Sequence, residues 1–200
     1  GITEGGQITY TATLTNPAGT PLTVTLSNGS VIVIEAGKTT GTVLVDTPAN
    51  DVYVNGSTVS TTISGTTGGN FENLVPSTEP AVTTISDSLD AVTVSIAGNG
   101  PVFENANPTF TVSINRALAD DLTVKLSNGG TVTVKAGETS AIYTAPVQGE
   151  DVYKDGGPLS LTITEATVKD QVFEDLQLSK EPGVVQINDT TDTVTVSIKG

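Results

Sequence analysis

An internal repeat, spaced by about 100 residues, is the feature of this sequence that most constrains its fold. The repeated segments are, in order, "TEGGQITYTATLTNP" (Thr3–Pro17) with "FENANPTFTVSINRA" (Phe103–Ala117), "LTVTLSNGSVIVIEAGKTTGTV" (Leu22–Val43) with "LTVKLSNGGTVTVKAGETSAIY" (Leu122–Tyr143), and "TISDSLDAVTVSI" (Thr84–Ile96) with "VQINDTTDTVTVSI" (Val185–Ile198). Because the repeat spans nearly the whole chain, it predicts two domains built on one plan. The chain is long enough for each domain to bury its own core.

The domain boundary is predicted in the short link Asp87–Asp90, which gives domains of residues 1–90 and 91–200. The segment "AVTVSIAG" (Ala91–Gly98) would begin the second domain, and "TVTVSIKG" (Thr193–Gly200) would begin a third. The first domain is then expected to start after its own first strand. The repeat offset rises from 100 to 102 before "VFEDL", so a surface connection of the second domain should hold two extra residues.

Hydrophobic residues alternate with polar ones at a period of two, as at Ile8, Tyr10 and Ala12. This period is typical of half-buried β-strands. "SNG" at Ser27–Gly29 and at Ser127–Gly129 lies between two such runs and predicts a hairpin turn, since Gly adopts positive φ at little cost. Several short strands per hundred residues predict an all-β chain of tandem immunoglobulin-like antiparallel β-sandwich domains, with a small barrel as the structural alternative.

The composition excludes most catalytic chemistry. The chain has no histidine, no cysteine and one arginine, so it lacks the usual nucleophile–base pairs, zinc ligands and disulfides. Two carboxylates would suffice for a glycosidase, but such enzymes need a cleft that is usually lined with aromatic residues, and only 4% of these residues are aromatic. We therefore expect no enzyme activity.

The charge of the chain limits its partners. Its formal net charge is −14, from 22 acidic and 8 basic residues. Such a surface repels phosphate backbones and anionic lipid headgroups, which argues against nucleic-acid binding and direct membrane contact, and it attracts divalent cations. No long apolar run and no signal sequence are visible, so we expect a soluble fragment of a longer polypeptide.

Acidic residues recur at equivalent positions of the two halves. The pairs are Glu4 with Glu104, Asp51 with Asp151, Glu72 with Glu174, Asp87 with Asp189, and Asp90 with Asp192. One interpretation is that these acids only cap turns and keep the repeat soluble. The other is that oxygen ligands from several loops bind Ca²⁺, which takes six to eight oxygens and needs neither His nor Cys. In this second interpretation, the D-x-x-D spacing lets two carboxylates surround one ion.

The first half resembles the tandem extender repeats of giant bacterial RTX adhesins, which build biofilms. The resemblance is carried by Thr3–Pro17, Leu22–Gly29, Asp51–Val54, Gly68–Leu74 and Thr83–Ser95. The second half is more divergent, with Phe103, Asn105 and Ala106 in place of Thr3, Gly5 and Gly6. The resemblance implies immunoglobulin-like spacers between an anchor and a ligand-binding tip, secreted by a type I system to the extracellular cell surface and rigidified by calcium.

The arrangement of the acidic residues is also similar to that of Calx-β domains, which gather calcium at one pole. The metal ligands implied are Glu4, Asp51, Asp87, Asp90, Glu104, Asp151, Asp189 and Asp192, with Glu72 and Glu174 ranked lower because they also fit a strand end. The expected partners are neighbouring repeats of the same chain, in a monomeric rod. Unpaired edge strands leave lateral self-association open.

Two other functions stay open at this point. A calcium-dependent carbohydrate- or protein-binding module would need exposed aromatic residues, for which Tyr53 and Tyr153 are the best candidates. An adhesin stabilised by Lys–Asn isopeptide bonds would need a buried lysine, but the first half contains only Lys38, in an AGK turn that should be exposed.

Overall fold

The computed structural model describes all 200 residues, and the chain forms two units, residues 1–89 (unit 1) and 90–200 (unit 2). Both units consist of strands and connections, and the chain has no helix long and apolar enough to span a bilayer. The all-β class predicted from the period-two pattern is confirmed.

Unit 1 has eight strands: β1 Ile2–Thr3, β2 Gln7–Thr13, β3 Leu22–Leu26, β4 Val31–Ile34, β5 Thr40–Asp46, β6 Ser57–Thr61, β7 Ile63–Gly68 and β8 Ala81–Ser86. They form three sheets, in the orders β1-β8-β6, β2-β5 and β4-β3-β7. All pairs are antiparallel except β1 with β8, in which Thr3 lies opposite Ser86.

Unit 2 has ten strands: β9 Ala91–Gly98, β10 Val102–Phe103, β11 Thr109–Ile114, β12 Leu122–Leu126, β13 Thr131–Val134, β14 Ser140–Thr144, β15 Pro158–Leu161, β16 Ile163–Val168, β17 Asp175–Leu178 and β18 Gly183–Asn188. Their sheets have the orders β10-β18-β15, β14-β11-β9-β17 and β13-β12-β16. The parallel pairs are β10 with β18 and β17 with β9.

The sheets of each unit enclose a core built from every second residue of their strands. In unit 1, Tyr10 of β2, Val24 of β3 and Ile34 of β4 are buried in one hydrophobic cluster. In unit 2, Phe110 of β11 and Val124 of β12 are fully buried. Burial on one face of each strand is the mark of a β-sandwich, so the predicted immunoglobulin-like sandwich architecture is confirmed.

The hairpins predicted at the two SNG segments are confirmed. β3 pairs with β4 and β12 with β13, both antiparallel, and Gly29 and Gly129 have φ of 85° and 81°. In each turn the Asn side chain accepts a hydrogen bond from the backbone N–H two residues on, at 3.0 Å. The Asn therefore fixes the turn, and Gly supplies the left-handed conformation.

The two extra residues of unit 2 lie in an exposed connection. Asn70 and Asp170 both adopt positive φ at the same turn, so the offset is still 100 there. Gln171 and Val172, which follow, are exposed and form no strand. The insertion thus lies after β16, where a longer connection disturbs no pairing.

The two units differ in their first strand. β9 lies between β11 and β17 in unit 2, whereas in unit 1 no strand takes the equivalent place beside β2. Residues 73–76, which match β17, form no strand either, because β17 pairs with β9. Residues 193–200 form no strand in the structure, and the idea that they begin a further repeat stays a prediction.

The cores differ in one polar pair, which gives a test of the packing. The Tyr10 hydroxyl and Thr61 Oγ1 share a buried hydrogen bond of 2.9 Å, and Phe110 and Leu161 stand at the equivalent positions of unit 2. We predict that Tyr10→Phe destabilises unit 1 by about 1–2 kcal/mol, because it leaves the Thr61 hydroxyl buried without a partner. The double variant Tyr10→Phe with Thr61→Val should recover most of that loss.

The free energy of unfolding of unit 1 is measured by urea unfolding of the full chain. NMR signals of unit 1 report its unfolding, and signals of unit 2 serve as the internal reference. Equal stability of the single and the double variant would contradict the prediction.

Candidate metal centre

Glu104 is the buried centre of an acidic cluster in unit 2. It follows β10 directly, and its backbone N–H donates to the carbonyl of Asn188 at 3.0 Å, which continues the β10–β18 pairing. Its side chain is 0% exposed. Oε1 accepts hydrogen bonds of 2.8 Å from the backbone N–H and from the hydroxyl of Thr190, while Oε2 is buried with no hydrogen-bond partner. A buried carboxylate oxygen without a donor is costly unless a cation compensates it.

Four more carboxylates surround Glu104 in two groups. In each group, one oxygen from each side chain lies within 4.8 Å of the others; the groups are Glu104 with Glu150 and Asp192, and Glu104 with Asp155 and Asp189. Glu104 belongs to both groups. Five acidic side chains from three segments of the chain therefore converge at one end of unit 2.

Backbone hydrogen bonds hold one of these acids in place. Asp189 Oδ1 accepts from the backbone N–H of Asp155 at 3.1 Å and of Gly156 at 2.5 Å. A Cβ at residue 156 would lie 2.8 Å from the same oxygen, so glycine permits this approach. The aspartate after β18 is thereby tied to the loop before β15.

None of these five acids forms an ion pair, although Lys154 lines the cavity beside them. The ion pairs of the chain join Arg116 with Asp90, Lys125 with Glu165, Lys135 with Asp121, and Lys169 with Asp170. Desolvation, followed by the negative charge of Glu150, raises the pKa of Asp192 above its ordinary value. The five carboxylates thus repel one another, and they lie beside an open cavity of about 470 Å³ lined by Tyr153, Asp189 and Asp192, among others.

Unit 1 contains a smaller version of the cluster. Glu4 follows β1, is 7% exposed, and accepts a hydrogen bond from the backbone N–H of Ser88 at 3.4 Å through Oε1, while its Oε2 is buried without a partner. An oxygen of Asp87 lies within 4.8 Å of one of Glu4. Asp87 also accepts from the backbone N–H of Asn55 at 3.1 Å, which ties it to the loop before β6.

The other predicted ligands have different surroundings. Asp51 and Asp151 each accept a hydrogen bond of 2.7 Å from the backbone N–H two residues on, so both fix a local turn, and neither belongs to a carboxylate group. Asp90 forms an ion pair of 3.2 Å with Arg116, and its backbone N–H donates to Glu174 Oε2 at 2.7 Å. Glu72 is exposed.

A family model decides the assignment. The model described as the LapA domain matches residues 1–88 and, again, residues 90–190. The chain belongs to the LapA domain family. Each unit is thus one LapA domain, and membership points to a non-catalytic part of a cell-surface adhesin.

No curated protein matches the chain. Among solved structures, the crystal structure of CBD12 from CALX1.2 is similar at a TM-score of 0.38 and 10% identity, covering 94% of this chain and 96% of that one. The crystal structure of calcium binding domain CBD12 of CALX1.1 is similar at 0.36 and 10% identity, covering 94% and 95%. The family assignment depends on the LapA model alone.

Sequence comparison of the two LapA domains missed Glu150 and Asp155. Both belong to the clusters of the second domain, but the equivalent residues of the first are Asn50 and Asn55. A search for recurring acids discards such pairs. A search for recurring oxygen-bearing side chains would have retained them, because Asn also offers a carbonyl oxygen to a cation.

The repulsion in the second LapA domain gives a pH-dependent test without any metal. A raised pKa means that the folded state holds the Asp192 proton more tightly than the unfolded state, so ionisation of Asp192 destabilises the fold as pH rises through that pKa. We predict that Asp192→Asn raises the melting temperature in chelator at pH 7, and that the gain vanishes below about pH 3, where Asp is protonated in both states.

The control for this measurement is Asp170→Asn, which removes the same charge at an exposed turn where the first domain already has Asn70. An Asp192→Asn chain no more stable than the control at pH 7 would contradict the prediction.

Proposed function

We propose that the two LapA domains are calcium-rigidified spacer repeats of a large bacterial cell-surface adhesin. The observation that carries the proposal is Glu104 Oε2, a buried oxygen without a donor, in a cluster of five carboxylates that form no ion pair with a basic side chain. The equivalent oxygen of Glu4 is also buried without a donor. Retaining such groups in both domains is costly unless a cation binds there.

Calcium is the cation that fits these donors. Every donor is a hard oxygen, and Ca²⁺ accepts six to eight of them in flexible geometry, whereas structural zinc sites use the Cys and His that the chain lacks. Glu104 would be a ligand in two neighbouring sites. Glu150 and Asp192 would complete one site, and Asp155 and Asp189 would complete the other. Bound calcium would supply positive charge that cancels the repulsion among these carboxylates.

The position of the ligands supports a mechanical role. Asp189 and Asp192 lie on the segment that follows β18, and Asp87 lies directly after β8. A cation held by these side chains and by the buried glutamate would tie the departing chain to the sandwich. Free acidic segments repel themselves and sample many directions, so calcium would stiffen a tandem array.

The family and the calcium chemistry support the cellular setting that we propose. An adhesin-related family supports an extracellular location in biofilm formation, where calcium modules bind with dissociation constants of roughly 0.1–1 mM. We propose RTX-type export by type I secretion, a monomeric rod, and neighbouring repeats as the main partners.

A second candidate function is a calcium-dependent carbohydrate- or protein-binding module. It is favoured by Tyr153, which is 72% exposed beside the acidic cavity, whereas the equivalent Tyr53 is 8% exposed. Exposed aromatic rings stack on sugars. Binding on a glycan array in calcium that Tyr153→Ala abolishes would favour this candidate over the spacer.

Calcium should stabilise the chain. With free ion ten- to a hundredfold above the dissociation constant, each site adds about 1.4–2.7 kcal/mol, so we predict a rise of several degrees in melting temperature over EDTA. Glu104→Gln should remove most of the rise for the second domain. Asp170→Asn, the matched control, should keep it. Calorimetry of the full chain measures both, and identical curves in calcium and EDTA would refute calcium binding.

Calcium affinity should differ between the domains. Positions 50 and 55 hold Asn in the first domain, while positions 150 and 155 hold carboxylates in the second, and calcium affinity rises with ligand charge. We predict that NMR signals of Tyr153 and Thr190 shift at calcium concentrations at least about tenfold lower than those of Tyr53 and Ser88.

The double variant Asn50→Glu with Asn55→Asp should lower the midpoint of the first domain toward that of the second. Unchanged midpoints in this variant would show that these two positions do not set the affinity.

A further inference from the structure

The sequence contains four Asn–Gly pairs, which begin at Asn28, Asn55, Asn99 and Asn128. An asparagine before glycine can lose its side-chain amide, because the backbone nitrogen of the glycine attacks the side-chain carbonyl carbon and no Cβ hinders the approach. The reaction needs a glycine N–H that is free to lose its proton, and an asparagine side chain that is free to turn toward that nitrogen. The four pairs differ in both respects.

The two pairs in the SNG hairpins are protected through the glycine nitrogen. The Gly29 N–H donates to the carbonyl of Leu26 at 2.9 Å. The Gly129 N–H donates to the carbonyl of Leu126 at the same distance. In both turns the asparagine Oδ1 also accepts a backbone hydrogen bond. Attack by either nitrogen would first break the hairpin.

The pair at Asn99 is protected through its side chain. Nδ2 donates to Thr109 Oγ1 at 3.2 Å, and Oδ1 accepts a hydrogen bond from Thr111 Oγ1 at 2.7 Å. Rotation of this amide toward the next backbone nitrogen would break both bonds. We therefore expect this pair to react slowly, as the hairpin pairs do.

The pair at Asn55 lacks this protection. Asn55 and Gly56 are both exposed, in the connection directly before β6. The Gly56 N–H forms no backbone hydrogen bond, and a single bond of 2.8 Å from Asn55 Nδ2 to Asp51 Oδ2 holds the side-chain amide. Of the four pairs, this one is the most open to attack.

The fold itself favours glycine at residue 56. A Cβ there would lie 3.2 Å from the carbonyl oxygen of Ile85 and 3.3 Å from Asp87 Oδ2, which is tighter than an ordinary van der Waals contact. Gly156 passes Asp189 in the same way. The close approach of this loop to the aspartate therefore keeps a glycine after Asn55, and with it the reactive pair.

The second domain shows what the reaction product would do at this position. Asp155 stands where the first domain has Asn55, and one of its carboxylate oxygens lies within 4.8 Å of oxygens of Glu104 and Asp189. In the first domain, the two other acids of this group are already present and close together. An aspartate at residue 55 would complete the group, in a loop that the second domain shows can hold one.

We propose that Asn55 is a site of spontaneous deamidation, which gives the first domain the carboxylate that the second domain holds at Asp155 and thereby raises its affinity for calcium. The gain in affinity rests on the proposed calcium function, whereas the reaction itself does not. The first domain would thus change its calcium response as the protein ages.

The chemistry needs only water. The Gly56 nitrogen forms a bond to Cγ of Asn55, the Cγ–Nδ2 bond breaks, and Nδ2 leaves as ammonia with the proton that the Gly56 nitrogen has given up through water. A water molecule then opens the succinimide ring. Its attack at Cγ gives aspartate. Its attack at the main-chain carbonyl gives isoaspartate, whose additional backbone methylene would displace Gly56 from Asp87. The aspartate product carries the proposed gain.

The first test measures the reaction on the full chain in EDTA, at mildly alkaline pH in ¹⁸O-labelled water. Peptide mapping by mass spectrometry follows ¹⁸O incorporation at each Asn–Gly pair. We expect Asn55 to react at least about fivefold faster than Asn28, Asn99 or Asn128, since each of these must first break a hydrogen bond that holds its backbone or both of its amide atoms. Asn55→Gln, which would need a larger ring, is the matched control and should lose the fast reaction. Equal rates at the four pairs would overturn the proposal.

The second test measures calcium midpoints. The aspartate product is separated from the isoaspartate form, and the NMR signal of Ser88 is titrated with calcium beside those of the parent chain and of Asn55→Asp. We expect the product and the variant to share one midpoint, at least about threefold below that of the parent. A product with the parent's midpoint would overturn the gain in affinity and leave calcium binding itself intact. A parent chain without any calcium response would overturn both the proposed calcium function and the gain, whereas the rates in EDTA would be unaffected.

Discussion

A buried glutamate at the end of a parallel strand pair is the constraint on which the rest of this structure depends. Glu104 follows β10 and Glu4 follows β1, and each has one carboxylate oxygen buried without a donor. The chain has 8 basic residues for 22 acidic ones, so few positive side chains are available to balance these glutamates. The ion pairs that do form involve other acids. A buried carboxylate oxygen without a donor is costly unless a cation balances it. The surrounding acids form two groups around Glu104, with Glu150 and Asp192 in one and Asp155 and Asp189 in the other, and a cation bound in either group would relieve the repulsion within it.

Backbone pairing is the second constraint, and it explains why two domains of one family differ in their strands. A strand is stable inside a sandwich when both of its edges are paired and its apolar face is covered. β9 meets these conditions in unit 2, and β17 exists because β9 offers it an edge. In unit 1, β2 has a single partner, and residues 73–76 stay outside any strand although Leu74 matches Leu176. The same sequence pattern is therefore a strand in one place and an irregular segment in the other, according to what lies beside it.

Much of the fold could be predicted from the sequence, since its signals are local. The period of two, the Asn-Gly turns and the repeat offset each depend on neighbouring residues, and the structure has strands and hairpins where they indicate.

The candidate site was harder to predict from the sequence. Asp51 and Asp151 look like Glu4 and Glu104 in a comparison of halves, yet their carboxylates fix turns through the backbone N–H groups of Tyr53 and Tyr153. Glu150 and Asp155 depend on loops that close in three dimensions, and their partners Asn50 and Asn55 conceal them from a search for recurring charge.

The position of the acids in relation to the strands suits a domain that bears tension. β10 and β18 pair in parallel, with Phe103 opposite Asn188, and the next residue on each strand is a carboxylate, Glu104 and Asp189. β1 and β8 end in the same way, with Thr3 opposite Ser86 and then Glu4 and Asp87. A force that pulls on the chain after β18 would load the pairings of β18 with β10 and with β15. A cation between the two carboxylates would clamp the pair at the end where the chain leaves, in addition to its few hydrogen bonds. The clustered carboxylates, whose repulsion destabilises the domain without calcium, would thus hold the ends of the strands together once calcium is bound.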